Sequence, residues 1–205
     1  MPKIVVKHGI APQHGDVIIG NKKVVYYNAE HQTMSRKQHS ILPPLAQYEL
    51  VNRRPEFQYA LDALRSGRSV LLHGMGGVGK THLATHLAHK STKFFKDGIL
   101  WLSVGSSSLF AICDKIARRL DNETIPRLKP DEKQDAVRDL LSARQWLLVL
   151  DDFQSPDTIN EVIKMCPTST VLLVTARKNF AEISTRIHLA PLSRKDSIKL
   201  FGQRA

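Results

Sequence analysis

Eight consecutive residues, Gly74-Met75-Gly76-Gly77-Val78-Gly79-Lys80-Thr81, fill the pattern GxxxxGK[ST] at every fixed position. Glycines at this spacing let backbone N–H groups turn inward around an anion, where a Cβ would crowd the loop. A helix that begins near Lys80 adds the partial positive charge of its N-terminus, aimed at the same anion. On a nucleoside triphosphate these residue types divide the work. Lys80 reaches the β- and γ-phosphates, and the Thr81 hydroxyl ligates Mg²⁺. His82 follows directly and lies close to a bound phosphate.

A second element follows at Trp146-Leu147-Leu148-Val149-Leu150-Asp151-Asp152, an apolar run ending in two carboxylates. Such a run is a buried strand, and its end places both acids at the carboxyl edge of a sheet, where open α/β sheets bind ligands. Asp151 is then the Mg²⁺ carboxylate, and Asp152 is placed to orient or deprotonate an attacking water. By itself the acidic pair would equally suit a helix N-cap; the upstream phosphate loop favours the metal reading. Val171-Leu172-Leu173-Val174-Thr175-Ala176-Arg177 is a third apolar run with a polar and basic end. If it neighbours the Asp151 strand, Thr175 and Arg177 emerge near the γ-phosphate, where an arginine can report that phosphate or stabilise charge in transfer. A basic residue after a strand is otherwise commonly a solvated loop residue.

The elements that carry these residues alternate. From Tyr48 the chain reads as a helix at 54–65, a strand at 69–73, a helix at 80–90 and a strand at 98–104. Helices follow at 107–120 and 130–143, strands at 145–150, 170–175 and 186–189, and a helix from Ser193. Continuous apolar strands between amphipathic helices predict a three-layer α/β sandwich with a mostly parallel five-stranded sheet and right-handed crossovers. The first 46 residues differ. Lys3 to Lys7, Asp16 to Gly20 and Lys23 to Asn28 read as short β segments, with a turn at Gly20-Asn21, and 29–46 reads as a linker. The predicted division is a β-rich segment at 1–46 and a nucleotide-binding domain at 47–205. His82, His86 and His89 share one helical face, but Leu83, Ala84, Leu87 and Ala88 mark the opposite face as the packed one, so the histidines are expected to be exposed rather than metal-bound.

Composition narrows the class. Lys and Arg total 30 against 19 Asp and Glu, a formal charge of +11. That excess favours polyanions, yet the basic residues are scattered without interleaved aromatics, which argues against nucleic acid as the principal partner. Cys113 and Cys166 form no paired motif and read as ordinary intracellular thiols. No run is long and apolar enough to span a bilayer, and Met1 to Lys7 is too short and too basic for a signal peptide, so a soluble, cytoplasmic protein is expected.

Taken in order, GMGGVGKT, WLLVLDD, VLLVTAR and LAPLSRKDSIKLF at 189–201 resemble the motif series of the NB-ARC ATPase module of STAND signalling proteins, which include plant immune receptors, apoptosome proteins and bacterial regulators. The resemblance runs from about Leu50 to Phe201. It implies a switch between ATP and ADP states with slow, Mg²⁺-dependent hydrolysis, and partners that are other protein domains or protomers of a signalling assembly. It implies Arg177 as a sensor arginine, and Val51-Asn52-Arg53 as the segment lining the adenine, with Asn52 where the family has glycine. In the family a helical domain and a winged helix follow this core; the sequence ends at Ala205, before either, so a fragment or a minimal form is expected.

Other nucleotide-binding classes fit less well. A DNA-associated AAA+-like loader or regulator is the alternative, prompted by the charge. Partitioning ATPases carry a signature lysine where this chain has Met75, and a GTPase would show a base-reading Asn-Lys-x-Asp after the phosphate loop. A small-molecule kinase would need an acceptor site and lid that the sequence does not display.

Overall fold

A computed structural model describes residues 17–19, 22–24, 39–45, 50–142 and 144–202. The chain divides into two units, Met1–Lys37 and Gln38–Ala205. In the first, strands β1 (Val17–Ile19) and β2 (Lys22–Val24) pair antiparallel, with Ile19 opposite Lys22; the turn read at Gly20-Asn21 lies outside the described residues. The segment read at Lys3 to Lys7 lies outside the described residues, as does the end of the one read to Asn28.

In the second unit, strand β3 (His39–Ile41) precedes helix α1 (Arg54–Arg65), strand β4 (Val70–His73), helix α2 (Lys80–Ser91) and strand β5 (Gly98–Ser103). Helices α3 (Leu109–Arg119) and α4 (Pro130–Ser142), strand β6 (Trp146–Phe153) and helix α5 (Pro156–Met165) come next. Strands β7 (Val171–Ala176) and β8 (Thr185–His188) and helix α6 (Arg194–Gly202) complete it. The sheet order is β3-β5-β6-β7-β4-β8, and every pairing is parallel. The five expected strands are all present. The sixth, β3, corrects the linker reading at 39–41: it joins the β5 edge with Ser40 opposite Ile99. Its polar sequence carries no apolar pattern because the pairing is made through backbone. The Ser40 hydroxyl also accepts the Ile99 N–H at 3.1 Å.

Burial explains the continuous apolar runs. Leu148, Leu150, Leu172 and Val174 pack against Ile112, Ile116, Val137 and Ile159 of α3, α4 and α5. Their neighbours Leu147, Val149 and Leu173 pack in a separate cluster with Ala60 and Leu64 of α1 and Leu83 and Leu87 of α2. Adjacent strand residues point to opposite faces, so both faces are covered and three layers result. Helix α5 starts at Pro156, a residue whose fixed φ suits the first helical turn, and buries Ile159, Val162 and Met165.

Burial on both faces makes a prediction that a one-sided sheet would not. Leu147→Ala and Leu148→Ala should each cost about 2–5 kcal/mol, read as a shift in the urea-unfolding midpoint. If either substitution is neutral, one face of β6 is not packed as described.

Candidate functional site

The site forms where β4, β7 and β6 end side by side. The loop leaving β4 bends at Gly74, whose φ is 147°. A Cβ there would meet the Leu189 carbonyl oxygen at 2.5 Å, closer than any side chain could stand. The first glycine of the motif is therefore required by packing against the chain leaving β8, whose Leu189 N–H donates to the His73 carbonyl at 2.8 Å. Gly79, with φ 97°, stands at the N-cap of α2 in the left-handed region and makes no side-chain cap hydrogen bond. The first-turn N–H groups are thus left without a side-chain cap at the mouth of the loop. Met75 is exposed at the tip.

Lys80 is only 9% exposed. Its Nζ donates to the carbonyls of Gly74 at 2.9 Å and Met75 at 2.7 Å, so the loop wraps around its own lysine. Burial holds the ammonium below its ordinary pKa, and nearby Arg177 adds to this, while Asp152 and Asp151 pull the other way. Arg177 lies over the loop: a methyl placed on Gly76 would stand 3.9 Å from its guanidinium. The structure thus brings the loop, Arg177 and both acids together.

Asp151 is 7% exposed at the end of β6. The hydroxyls of Thr81 and Thr175 both donate to its Oδ1, at 2.9 Å and 2.6 Å. Thr175 was expected to emerge near the γ-phosphate; it is instead buried, its hydroxyl committed to Asp151, because β7 runs between β4 and β6 and its end is covered. Asp152 is exposed, with φ 57°, and its Oδ2 accepts from the Gln154 side-chain amide at 2.8 Å. Neither Gln154 nor the tie from Thr175 to Asp151 is marked by motif or spacing in the sequence. The polar residue inside an otherwise apolar strand was the one signal for the latter.

At the other end of the loop, Val51 is buried and Asn52 has φ 47°. Asparagine is among the few non-glycine residues that tolerate this region, which accounts for its replacement of the family's glycine. Its side-chain amide donates to Asp196 Oδ2 at 2.8 Å, at the start of α6. Arg53 donates to the Val78 carbonyl at 3.4 Å, the Ala190 carbonyl at 2.5 Å and Glu56 Oε1 at 3.2 Å. A cavity of about 400 Å³ opens beside the loop, lined by Pro44, Gly77, Gly79, Lys80, Thr81, His82 and Thr85.

The histidines differ from expectation. His82, His86 and His89 are half-buried rather than exposed. His89 Nε2 lies 2.8 Å from the Pro43 carbonyl, and the His82 and His86 rings meet edge to face at 4.7 Å. The segment at 42–45, read as linker, lies against this face, which helical periodicity alone cannot reveal. Among the described residues no group of three His, Cys, Asp or Glu side chains is placed to hold a metal.

The donor set fits a magnesium nucleotide. It combines a left-handed glycine loop, an uncapped helix start, a lysine folded into the loop, and a hydroxyl paired with a carboxylate at the sheet edge. Among the described residues no helix is long and apolar enough to cross a membrane.

Burial lowers the His86 pKa, and the charges of His89 and Lys90 lower it further; burial, His188 and Arg186 do the same for His73. The fold therefore favours the neutral rings, so their contribution is complete above the ordinary value of 6.5 and is lost progressively as pH falls from there through the lowered folded-state value. A thermal-unfolding series from about pH 7.5 to about pH 5.5 should show a falling midpoint, shallower in His86→Phe. An equal pH slope in the variant would show that His86 does not contribute.

The NB-ARC domain family matches residues 57–205. The regulatory protein AfsR of Streptomyces griseus is 28% identical over 137 residues, covering 62% of this chain and 14% of AfsR. A probable disease resistance protein of Arabidopsis thaliana is 33% identical over 96 residues, covering 44% of this chain and 11% of that protein. The chain thus spans a small part of the length of either relative. Among solved structures, the Orc1 protein of Aeropyrum pernix in complex with DNA superposes with a TM-score of 0.61 at 15% identity, over 78% of this chain and 50% of that one. A Walker-type ATPase of Pyrococcus abyssi gives 0.50 at 10% identity, over 80% and 61%. At these identities the superpositions show a shared fold. Motif order, sheet order and family match agree: this chain belongs to the NB-ARC family of nucleotide-binding P-loop domains.

Proposed function

We propose that this chain is the nucleotide-binding core of a STAND-type regulator, an ATP/ADP switch in which slow hydrolysis resets the state. Its setting is cytoplasmic signal transduction of the immunity or cell-death kind. Its partners are other protein domains or protomers of a signalling assembly. The observation that carries this reading is the position of Arg177. It approaches the phosphate loop at Gly76 from β7, the strand whose Thr175 holds Asp151. One strand end thus touches both the region of a terminal phosphate and the cation carboxylate, as a device that distinguishes ATP from ADP requires. The named relatives, a regulatory protein and a disease resistance protein, support the same setting.

When bound, Mg²⁺ would supply charge neutralisation for the β- and γ-phosphates. The chain's own residues have separable tasks. Lys80 leaves the Gly74 and Met75 carbonyls for phosphate oxygens, and the loop N–H groups donate to the remaining oxygens. Thr81 and Asp151 hold the cation side. Asp152, exposed and turned out by its left-handed backbone, orients the attacking water and takes its proton. Arg177 senses the third phosphate. Val51, Asn52 and Arg53 line the base.

Lys80→Ala should remove most binding of Mg-ATP while leaving the fold intact. By thermal shift, the wild type should gain about 2.7 kcal/mol at a ligand concentration about one hundred times Kd, and the variant little. Equal shifts for the two proteins would overturn the phosphate-loop assignment.

The two acids should separate in kinetics. Asp151→Ala should weaken Mg²⁺-dependent binding, whereas Asp152→Asn should bind normally and turn over more slowly. A loss of affinity in Asp152→Asn as large as that in Asp151→Ala would refute this division of roles.

A further inference from the structure

Two residues of β6 stand opposite one residue of β7. The ladder pairs Leu150 with Val174 and resumes at Phe153 with Ala176, so Asp151 and Asp152 together face Thr175. A bulge of this kind bends a strand and re-aims its side chains. Here it separates the two carboxylates: Asp151 is buried, and Asp152 takes φ 57° and turns outward.

Thr175 closes the bulge. Its hydroxyl oxygen accepts the Asp152 backbone N–H at 2.9 Å, and its proton is donated to Asp151 Oδ1 at 2.6 Å. A hydroxyl has a single proton, so its whole donor capacity is committed to Asp151. At 1% exposure it cannot reach a ligand. Thr81 donates to the same Oδ1 at 2.9 Å, but its side chain is exposed and can turn towards a ligand. That leaves Thr175 to hold the carboxylate when Thr81 is engaged.

We propose that Thr175 is a positioning residue that sets Asp151 for the cation and the Asp152 backbone for the water, through one buried hydroxyl. This inference rests on the roles given above to Asp151 and Asp152. Replacing the hydroxyl by a methyl removes a donor from Asp151 and leaves the Asp152 N–H without its acceptor. The carboxylate is then free to rotate, and the bulge loses the tie that sets its backbone. Contacts that orient a metal ligand in this way commonly change cation affinity about 10- to 100-fold when lost.

A purely structural threonine would behave differently. Its loss would lower stability and reduce nucleotide affinity by the same factor with and without the cation. The deciding quantity is therefore the ratio of affinities in MgCl₂ and in EDTA. It is measured by calorimetry on the 205-residue chain with a non-hydrolysable ATP analogue. Thr175→Val should lower that ratio about 10- to 100-fold, and Thr175→Ser, which keeps the hydroxyl, should restore it. If Thr175→Val fails to fold, Thr175→Cys, with a weak S–H donor, carries the same expectation. An unchanged ratio in the hydroxyl-free variant, or a loss in Thr175→Ser as large as in Thr175→Val, overturns the inference. A wild-type chain that binds the analogue no better with Mg²⁺ overturns instead the functional reading on which the inference rests.

Discussion

Asp151 is a carboxylate taken largely out of water at the edge of an apolar sheet, and much of the surrounding structure satisfies it. Moving a carboxylate out of water without partners costs several kcal/mol. Two hydroxyls converge on one of its oxygens, one from the helix after the phosphate loop and one from the neighbouring strand. The buried ammonium of Lys80 is close enough for Asp151 to offset part of the lowering that burial imposes on its pKa. These contacts need β4, β7 and β6 to end at the same level and in that order. The order in turn requires long crossovers, and the helices that make them cover both faces of the sheet. The acid, the strand order and the three-layer core are therefore one constraint seen at three scales.

Much of this was legible because the chemistry-bearing residues sit at the ends of strongly patterned elements. Val70–His73, Trp146–Phe153 and Val171–Ala176 are apolar on both faces, so their ends could be found and the residues at those ends assigned. What was not legible depends on contacts that no local pattern encodes. The bulge at Asp151-Asp152 changes the register between two strands without changing either strand's periodicity. The strand at His39–Ile41 has only three residues and pairs through backbone groups that every sequence possesses. The burial of His89 depends on its contact with the Pro43 carbonyl, some forty positions away along the chain. Helix α5 follows directly on the acidic strand end, and its apolar positions 159, 162 and 165 were too few to stand out.

Asn52 shows the reverse relation, in which a departure from the family pattern is explained once the backbone is seen. The position has φ 47°, a region glycine occupies at no cost and asparagine at a small one. The substitution also adds something glycine cannot, a side-chain amide reaching Asp196 at the first turn of α6. Ser193 donates to the same carboxylate oxygen at 2.6 Å, and its hydroxyl accepts the Asp196 N–H. These hydrogen bonds hold the Asp196 carboxyl below its ordinary pKa. No residue of α6 is buried, so this polar cluster at its start is a main tie between the helix and the domain.

The stretch from Leu189 to Asp196 therefore cannot shift independently of the phosphate loop. Its first residue donates to the His73 carbonyl and presses its own carbonyl against Gly74, leaving no room for a methyl group. One residue on, the Ala190 carbonyl accepts from Arg53, and the same guanidinium reaches the Val78 carbonyl inside the loop. At the far end Asn52 holds Asp196. A displacement of this stretch must break hydrogen bonds made by the adjacent residues Asn52 and Arg53 and open the contact at the first glycine of the loop. Packed elements of this kind move between discrete arrangements rather than deform smoothly. The phosphate loop and the stretch leading into α6 are in this way tied together at Gly74 and Arg53, two residues separated in sequence by the whole of α1 and β4.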